Sequence, residues 1–486
     1  MYSTVFSRLK QSEPSPKMLA INMLGRLFAD FSRRSRWLAL FLLVLFCSTV
    51  IFPANSRVRY LSFAEVEETL RLFADSGLPG SNIASSDVWD HWIREQDAQV
   101  RARIDRGIED SISNLILYGT SYTNFPRLEN AESAVARDGQ ISEAARARID
   151  ALVMAVGAAS PNERIRIVRD FLKRRGVPGD GVQDFLTSNL QRFADEQRVY
   201  DEKLEAAERS RDLDQKLSTR GTLYQGRGLS ADTSLLVNYA LEDTLRALSV
   251  KGMLSEGSIR RIAVIGPGLD FTNKHSGYDF YPLQTIQPFA VMETVVRLKL
   301  GKPDDVEVVT MDLNPGVNAH IAKLARDAHE GRPYTVQLPR DGAADWPQPA
   351  VAYWEHFGEI IGVQTKPLAV PRALGGVTLR AVAIAPRFAS RVTPLNLNVV
   401  AQCAELEHGQ AFDLVIATNI LVYYDRLQQG LAMASIARMM NSGGIFLAND
   451  ALSAHHLESL KFLDRHAVAF AISGPYGDNV LAYRRQ

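Results

Sequence analysis

The chain has almost no cysteine. Cys47 and Cys403 are the only two among 486 residues, which excludes a disulfide framework and a cysteine-rich zinc site; no metal centre is expected. It has no excess of either charge: 55 Lys and Arg balance 55 Asp and Glu. No global field therefore draws the chain to nucleic acid, and no local block of one sign replaces it. No repeat of constant period is present. Long apolar runs are scarce as well. The one uncharged stretch is "WLALFLLVLFCSTVIFPA" at 37–54.

That run, behind a basic tail at 1–36 containing Arg33, Arg34 and Arg36, is roughly 27 Å long as a helix, near the lower limit for crossing a bilayer. It reads as a single-pass transmembrane anchor and is longer than the usual signal-peptide core. The following "PANS" nevertheless puts small Ala54 and Ser56 where a signal peptidase could cut. The arginines predict a cytoplasmic N-terminus and an outward-facing remainder.

The length exceeds what a single core usually supports, so two folded domains are expected after the anchor. Residues 62–217 read as a helical domain. "SFAEVEETLRLFADSG" opens on Ser62 with Glu65 three residues later, a capping-box pattern. Val88, Trp92, Ile93, Val100, Ile104, Ile108 and Ile112 recur mostly at helical spacing. The region offers a dimerisation or spacer domain. Asp232 is expected to cap the next helix.

From 220 to 486 strands alternate with helices, which predicts a doubly wound, mostly parallel α/β sheet. Strands are expected at 261–266, 306–312, near 377–384 with a continuation around 396–402, then 412–417 and 444–449. Helices are expected at 284–299, 316–329 and 426–440. "AVAFAISG" and "NVLAYRR" lie too close together for a helical crossover and predict a terminal antiparallel hairpin. The Pro-, Gly- and Trp-containing stretch 330–376 reads as an insertion.

In such a sheet, ligands bind beyond the C-terminal strand ends. The first strand, "RRIAVIGPGLDF", ends in Gly266, Pro267 and Gly268, whose bare glycines permit a sharp turn and close ligand approach. The third glycine of the dinucleotide fingerprint is missing, since Phe271 takes its place. The second strand, "DVEVVTMDLNP", ends in Asp312, whose two oxygens suit the hydroxyls of a ribose. The alternative is that Asp312 only caps the helix after Asn314–Pro315.

"FDLVIATNILVYYD" and "MMNSGGIFLAND" supply two more buried strands. Together with the hairpin, they make the C-terminal half resemble a class I S-adenosylmethionine-dependent methyltransferase. The resemblance implies that Ile265 to Asp270 wrap the methionine end of the cofactor and Asp312 holds its ribose. Thr418, Asn419 and Ile420 would line the methyl-donor pocket. The cofactor-binding set is thus Gly266, Pro267, Gly268, Asp270, Asp312, Thr418 and Asn419. The acid that usually contacts the adenine has no clear counterpart; Gln402 and Cys403 stand nearest.

Asp312 follows Gly266 by 46 positions, against about 20 in a compact strand–turn–helix–strand unit. The surplus, "DFTNKHSGYDFYPLQT", is too polar and turn-rich for core. It reads as a lid over the cofactor or a surface excursion. His275 as general base oriented by Asp279, and Tyr423 as a wall of an acceptor pocket, are the candidates for a catalytic role. The Asn/Asp-Pro-Pro-aromatic turn of many base and glutamine N-methyltransferases is absent, which disfavours nucleobase amino groups as acceptors.

The function expected is methyl transfer by in-line displacement to an unidentified acceptor, with S-adenosylmethionine as cofactor and membrane attachment through 37–54. The cofactor is made in the cytosol whereas the charge bias faces the domain outward. That conflict motivates an alternative, a non-catalytic, membrane-tethered protein binding a nucleoside or a partner chain on a methyltransferase-like scaffold. A nicotinamide-dependent oxidoreductase is the third reading, weakened by the missing glycine and the hairpin.

Overall fold

The computed structural model describes residues 57–209, 224–225, 227–230, 232–272, 276–449, 457–474 and 476–486. The expected anchor at 37–54 lies outside them. Among the described residues no helix is long and apolar enough to cross a membrane.

Seven strands form the central sheet: β2 (Arg261–Ile265), β3 (Glu307–Asp312), β7 (Val392–Asn396), β9 (Phe412–Ala417), β10 (Met440–Ala448), β11 (Leu460–Ala469) and β12 (Gly477–Arg485). Their order is β11-β12-β10-β9-β2-β3-β7. Every contact is parallel except those of β12, which runs against both β10 and β11. The expected terminal hairpin is present, with its first strand starting earlier than "AVAFAISG".

The third strand is a correction. Residues 377–384 do form a strand, β6, but it sits between β4 (Tyr334–Asp341) and β5 (Gly362–Thr365) in a separate antiparallel sheet. The insertion therefore has strands of its own and extends through β6. The third strand of the main sheet is β7, "VTPLN", paired only with β3 and placing Pro394 opposite Thr310. Proline lacks the N–H an interior strand needs, and an edge position tolerates it. A further strand, β1 (Arg57–Tyr60), pairs with β8 (Gln402–Glu405) in a two-stranded sheet.

Strand periodicity divides the interior into two cores. Ile262, Val264, Leu414 and Ile416 face one; Ala263, Ile265, Val415 and Ala417 face the other. The first core is covered by α3 (Glu143–Gly157), α4 (Glu163–Arg174), α5 (Val182–Arg209), α6 (Leu235–Val250), α7 (Gln287–Arg297) and α8 (Pro315–His329). The second is covered by α1 (Phe63–Phe73) and α10 (Arg426–Met439). At Ser62 the expected capping box forms, with Glu65 accepting from the serine N–H and hydroxyl at 2.9 and 3.0 Å.

One helix serves both cores. α2 (Ser86–Tyr118) has 33 residues, about 50 Å of helix. Trp89, Ile93 and Val100 in its first half bury in the second core, while Ile112, Leu115 and Ile116 in its last turns bury in the first. The helical region is thus not a separate domain, and residues 56–486 form one compact unit. Between the halves of α2, Gly107 lies against the loop before α6. A Cβ on Gly107 would stand 1.9 Å from the Leu229 carbonyl oxygen, and one on Gly228 would stand 2.4 Å from the Gly107 nitrogen. Asp232, expected to cap α6, does not; Ser234 precedes the helix, and Asp232 accepts the Thr272 N–H at 3.1 Å.

Because both sides of this contact are backbone, Gly107→Ala must push the helix and the loop apart. The expected cost is about 1–3 kcal/mol of stability, read by urea unfolding. A variant as stable as the wild type contradicts the close crossing.

Candidate functional site

The sheet reverses its strand order at β2. The chain moves outward through β3 to β7, then returns to lay β9 on the other side of β2. The C-terminal ends of β2, β3 and β9 therefore border a crevice at the switch point, and α2 passes over it, contributing Ile104.

The tips of β2 and β3 meet. The Gly266 N–H donates to the Met311 carbonyl at 2.8 Å. Gly266 and Gly268 have φ of +65° and +72°, which side chains other than glycine rarely adopt. The Asp312 carboxylate accepts the Asn314 N–H at 2.7 Å, and the N–H groups of Leu313 and Gly268 stand near enough to favour its charged form. Asp312 is half-buried at the crevice. Burial outweighs the three N–H groups and pushes its carboxyl up to about 7. The cap of α8 is Asn314, whose side chain accepts the Gly316 N–H at 2.9 Å, so Asp312 is not the cap of that helix.

Across the crevice, Thr418 Oγ1 accepts from Gln287 at 2.9 Å. Asn419 sits at φ +57°, a left-handed conformation Asn tolerates better than most residues. Asn449 holds it there, accepting the Asn419 N–H at 2.7 Å and donating to its side-chain oxygen at 3.0 Å. Gly266, Pro267, Gly268, Asp312, Thr418 and Asn419 all line this one space. Counting its open mouth, the crevice holds about 920 Å³ of empty space, although a water-sized sphere finds only about 80 Å³ in it. Ile420 narrows it, with Cδ1 2.1 Å from where a Cβ on Gly266 would stand.

Asp270 is placed elsewhere. It is 1% exposed and does not line the crevice. Its carboxylate accepts from the Tyr281 hydroxyl at 2.8 Å and from Gln284 at 3.2 Å, while Oδ1 has no partner. Burial pushes this carboxyl up to about 7, against the opposing pull of the Arg164 guanidinium. The segment that looked too polar for core is largely internal: Phe271, Tyr278, Asp279 and Tyr281 are all buried. Its polarity is satisfied from α4 and from the end of α2. Arg164 donates to the carbonyls of Phe271, Asp270 (2.9 Å) and Tyr281 (2.5 Å). Asp279 accepts the backbone N–H groups of Thr120 and Ser121 at 2.8 and 3.0 Å, and the Thr120 hydroxyl at 2.9 Å. Asp279 is therefore an anchor of this segment. His275 lies outside the described residues.

Because β7 is the third strand of the main sheet, the residues that follow that strand differ from those expected. Gln402 and Cys403 lie on β8, outside the crevice lining. Gln402 accepts the Asn398 N–H and the Arg101 guanidinium, both at 3.0 Å. Burial pushes the Cys403 thiol up to about 11. The residues that reach the crevice after β7 are Leu397 and Val399, an apolar slot without an acid. Once "VTPLN" is taken as a strand, their place follows from the sequence.

A second space adjoins the first. Ser230, Asp232 and Tyr423 line both, and a water-sized sphere finds about 550 Å³ in the second. Tyr423 borders this chamber, its ring 5.6 Å from that of Tyr224. Among the described residues, no group of three or more His, Cys, Asp or Glu is placed to hold a metal ion.

No family model and no curated protein matches the chain. Solved structures similar to it are S-adenosylmethionine-dependent methyltransferases. The TehB-like enzyme from Corynebacterium glutamicum is 9% identical over 51% of this chain and 98% of that one, with a TM-score of 0.21. Magnesium protoporphyrin IX methyltransferase from Synechocystis is 10% identical over 60% and 97%, at 0.22. TrmN from Thermus thermophilus is 9% identical at 0.24, and the match spans 52% of each chain. At these scores the likenesses decide nothing by themselves; the strand order, with antiparallel β12 between β10 and β11, carries the assignment. The fold is class I methyltransferase-like.

Asp270 gives a stability test. A carboxyl ordinarily near 3.9 and raised to about 7 in the folded protein keeps a proton that the unfolded chain releases. Its contribution therefore falls as pH rises from about 4 to about 7, by at most about 1.4 kcal/mol per pH unit, and is level above that. Asp270→Asn is expected to gain on the wild type across this window in urea unfolding. A difference independent of pH refutes the assignment.

Proposed function

We propose that the chain is an S-adenosylmethionine-dependent methyltransferase whose cofactor occupies the crevice at the tips of β2, β3 and β9. The observation that carries this reading is that Gly266 to Gly268 at the tip of β2 and Asp312 at the tip of β3 line one crevice, their strand ends joined by the Gly266 N–H to the Met311 carbonyl at 2.8 Å. One tip offers bare backbone and the other a carboxylate with an accessible side, a combination suited to opposite parts of an adenosyl ligand.

The residues present fit the group. Asp312 can accept the ribose hydroxyls. Leu397 and Val399 provide apolar contact for the adenine, whose amino group meets no carboxylate there. Gly266 to Gly268 would hold the methionine chain, and Thr418 and Asn419 would line the methyl-donor end. Bound here, S-adenosylmethionine supplies a methyl group that passes to a nucleophile while the electron pair of the broken carbon–sulfur bond stays on sulfur. The protein's tasks are alignment and exclusion of water. Ile104, from the overlying α2, takes part in the second. Asp232, on the boundary of crevice and chamber, is placed to take the proton that an O–H or N–H acceptor releases.

Isothermal titration of the full chain with S-adenosylhomocysteine tests the cofactor site. Asp312→Ala is expected to weaken binding at least about tenfold, or about 1.4 kcal/mol. Because the carboxyl sits at about 7 in the free protein and hydroxyl donors favour its ionised form, wild-type affinity should rise between roughly pH 6 and 8. Asp312→Asn should lose that rise. Absence of wild-type binding, or tighter binding of NAD, overturns the proposal.

A further inference from the structure

The chamber beside the crevice contains an imbalance of hydrogen-bonding capacity. Four carboxylates and two guanidinium groups line it. Three of the carboxylates have donors within the protein. Asp110 pairs with Arg192 at 2.7 Å; Asp232 accepts the Thr272 N–H at 3.1 Å; Asp341 accepts the Ala343 N–H at 2.9 Å and faces the Tyr278 hydroxyl at 3.4 Å. The fourth, Glu129, is exposed at the rim.

The two arginines are differently placed. Arg127 lies over the rings of Tyr118 and Tyr278, 5.6 and 5.4 Å from their centroids, and donates to the Ser276 carbonyl. It forms no ion pair among the described residues, and its Nε is buried without a partner. Arg227 has a side chain only 13% exposed, set against Phe193, Tyr200 and Tyr224. Its nearest carboxylate, Glu196, stands 3.8 Å away and gives its short contacts to Arg106 and Arg192 at 2.5 and 3.1 Å. Both guanidinium groups are steadied by aromatic faces while their N–H groups lack carboxylate hydrogen bonds. Spare capacity in the chamber is donor capacity, of the forked kind that matches carboxylate and phosphate.

We infer that the chamber takes the methyl acceptor, a small planar molecule carrying an oxyanion, carboxylate or phosphate, held by Arg127 and Arg227. Its planar body lies along the Tyr224 and Tyr423 rings and its nucleophile reaches the boundary at Ser230, Asp232 and Tyr423. The anion site stands on the chamber's own geometry; its meaning as an acceptor site rests on the methyltransferase reading.

The test is titration of the full chain with 4-hydroxybenzoate, phenyl phosphate, phenol and benzylamine. One or both oxyanions should bind at least about tenfold more tightly than phenol and benzylamine. The stronger of the two identifies the anionic group. Arg127→Gln and Arg227→Gln should each remove most of that preference, Arg227→Lys should retain part of it, and all three should bind S-adenosylhomocysteine as the wild type does, which verifies folding. No preference for the oxyanions, tighter benzylamine binding, or a preference that survives both Gln variants overturns the inference. Failure of wild-type S-adenosylhomocysteine binding with the oxyanion preference intact sinks the methyltransferase reading and leaves the anion site standing.

Discussion

The arrangement depends on one backbone crossing. α2 supplies apolar side chains to the cores on both faces of the sheet, so it must cross the edge where the strands end. Ile104 packs toward one core and Ile108 toward the other. The change of side falls at Gly107, where the helix meets the loop 228–230 without room for a side chain on either partner. Arg103 fastens the same region, donating to the carbonyls of Arg227 and Tyr423 at 2.8 and 2.9 Å. The loop after β9, the loop before α6 and the middle of α2 are thereby fixed around one opening. The cover of the crevice and the core of the protein are parts of the same helix.

The crossing also explains how so much polarity is buried near the site. A helix over the end of a sheet brings its own polar residues to the strand-end loops, where backbone groups lack ladder partners. Asp97 accepts from Asn398 and Arg101 at 2.9 and 2.8 Å, and Arg101 reaches Asn396 at 2.8 Å. The loop after β7 is therefore held from α2, and with it Leu397 and Val399. Arg164 and Asp279 do the corresponding work on the loop after β2, one supplying donors to carbonyls and the other accepting N–H groups. Each of these groups would be costly if left alone, and each is matched to backbone that regular structure leaves unpaired.

What was legible in the sequence was local. The glycine turn after β2, Asp312 at the end of β3, the strand ending in Thr418–Asn419 and the closing hairpin each show a short local pattern, and all four fall at the strand ends or sheet edge that the pattern marks. What was illegible depends on partners far along the chain. Nothing within 270–285 announces that Arg164, more than a hundred positions earlier, will satisfy its carbonyls. Its polar residues therefore resembled those of a surface loop. "VTLRAVAI" has the pattern of a good strand and is one; only its sheet was mistaken, because periodicity identifies a strand without naming its neighbours. "VTPLN" carries a proline, which argues against an interior strand but has no force at an edge. With β7 as the third strand of the main sheet, the residues that follow it into the crevice are Leu397 and Val399 in place of Gln402 and Cys403.

The same geometry bears on what the proposed methyltransferase can discriminate. The crevice is built mainly from strand tips, whose positions are set by the ladders of the sheet. The chamber draws Tyr118 and Arg127 from the end of α2 and just beyond it, Phe193 from α5, and Tyr224 and Arg227 from the segment before α6. These elements lie outside the strand ladders, so their side chains can vary with little consequence for the strand tips. A crevice that follows from the fold thus stands beside a chamber set by the added helices. Selectivity must be argued from their side chains, above all from the two guanidinium groups that the protein supports with aromatic rings and leaves without carboxylate hydrogen bonds.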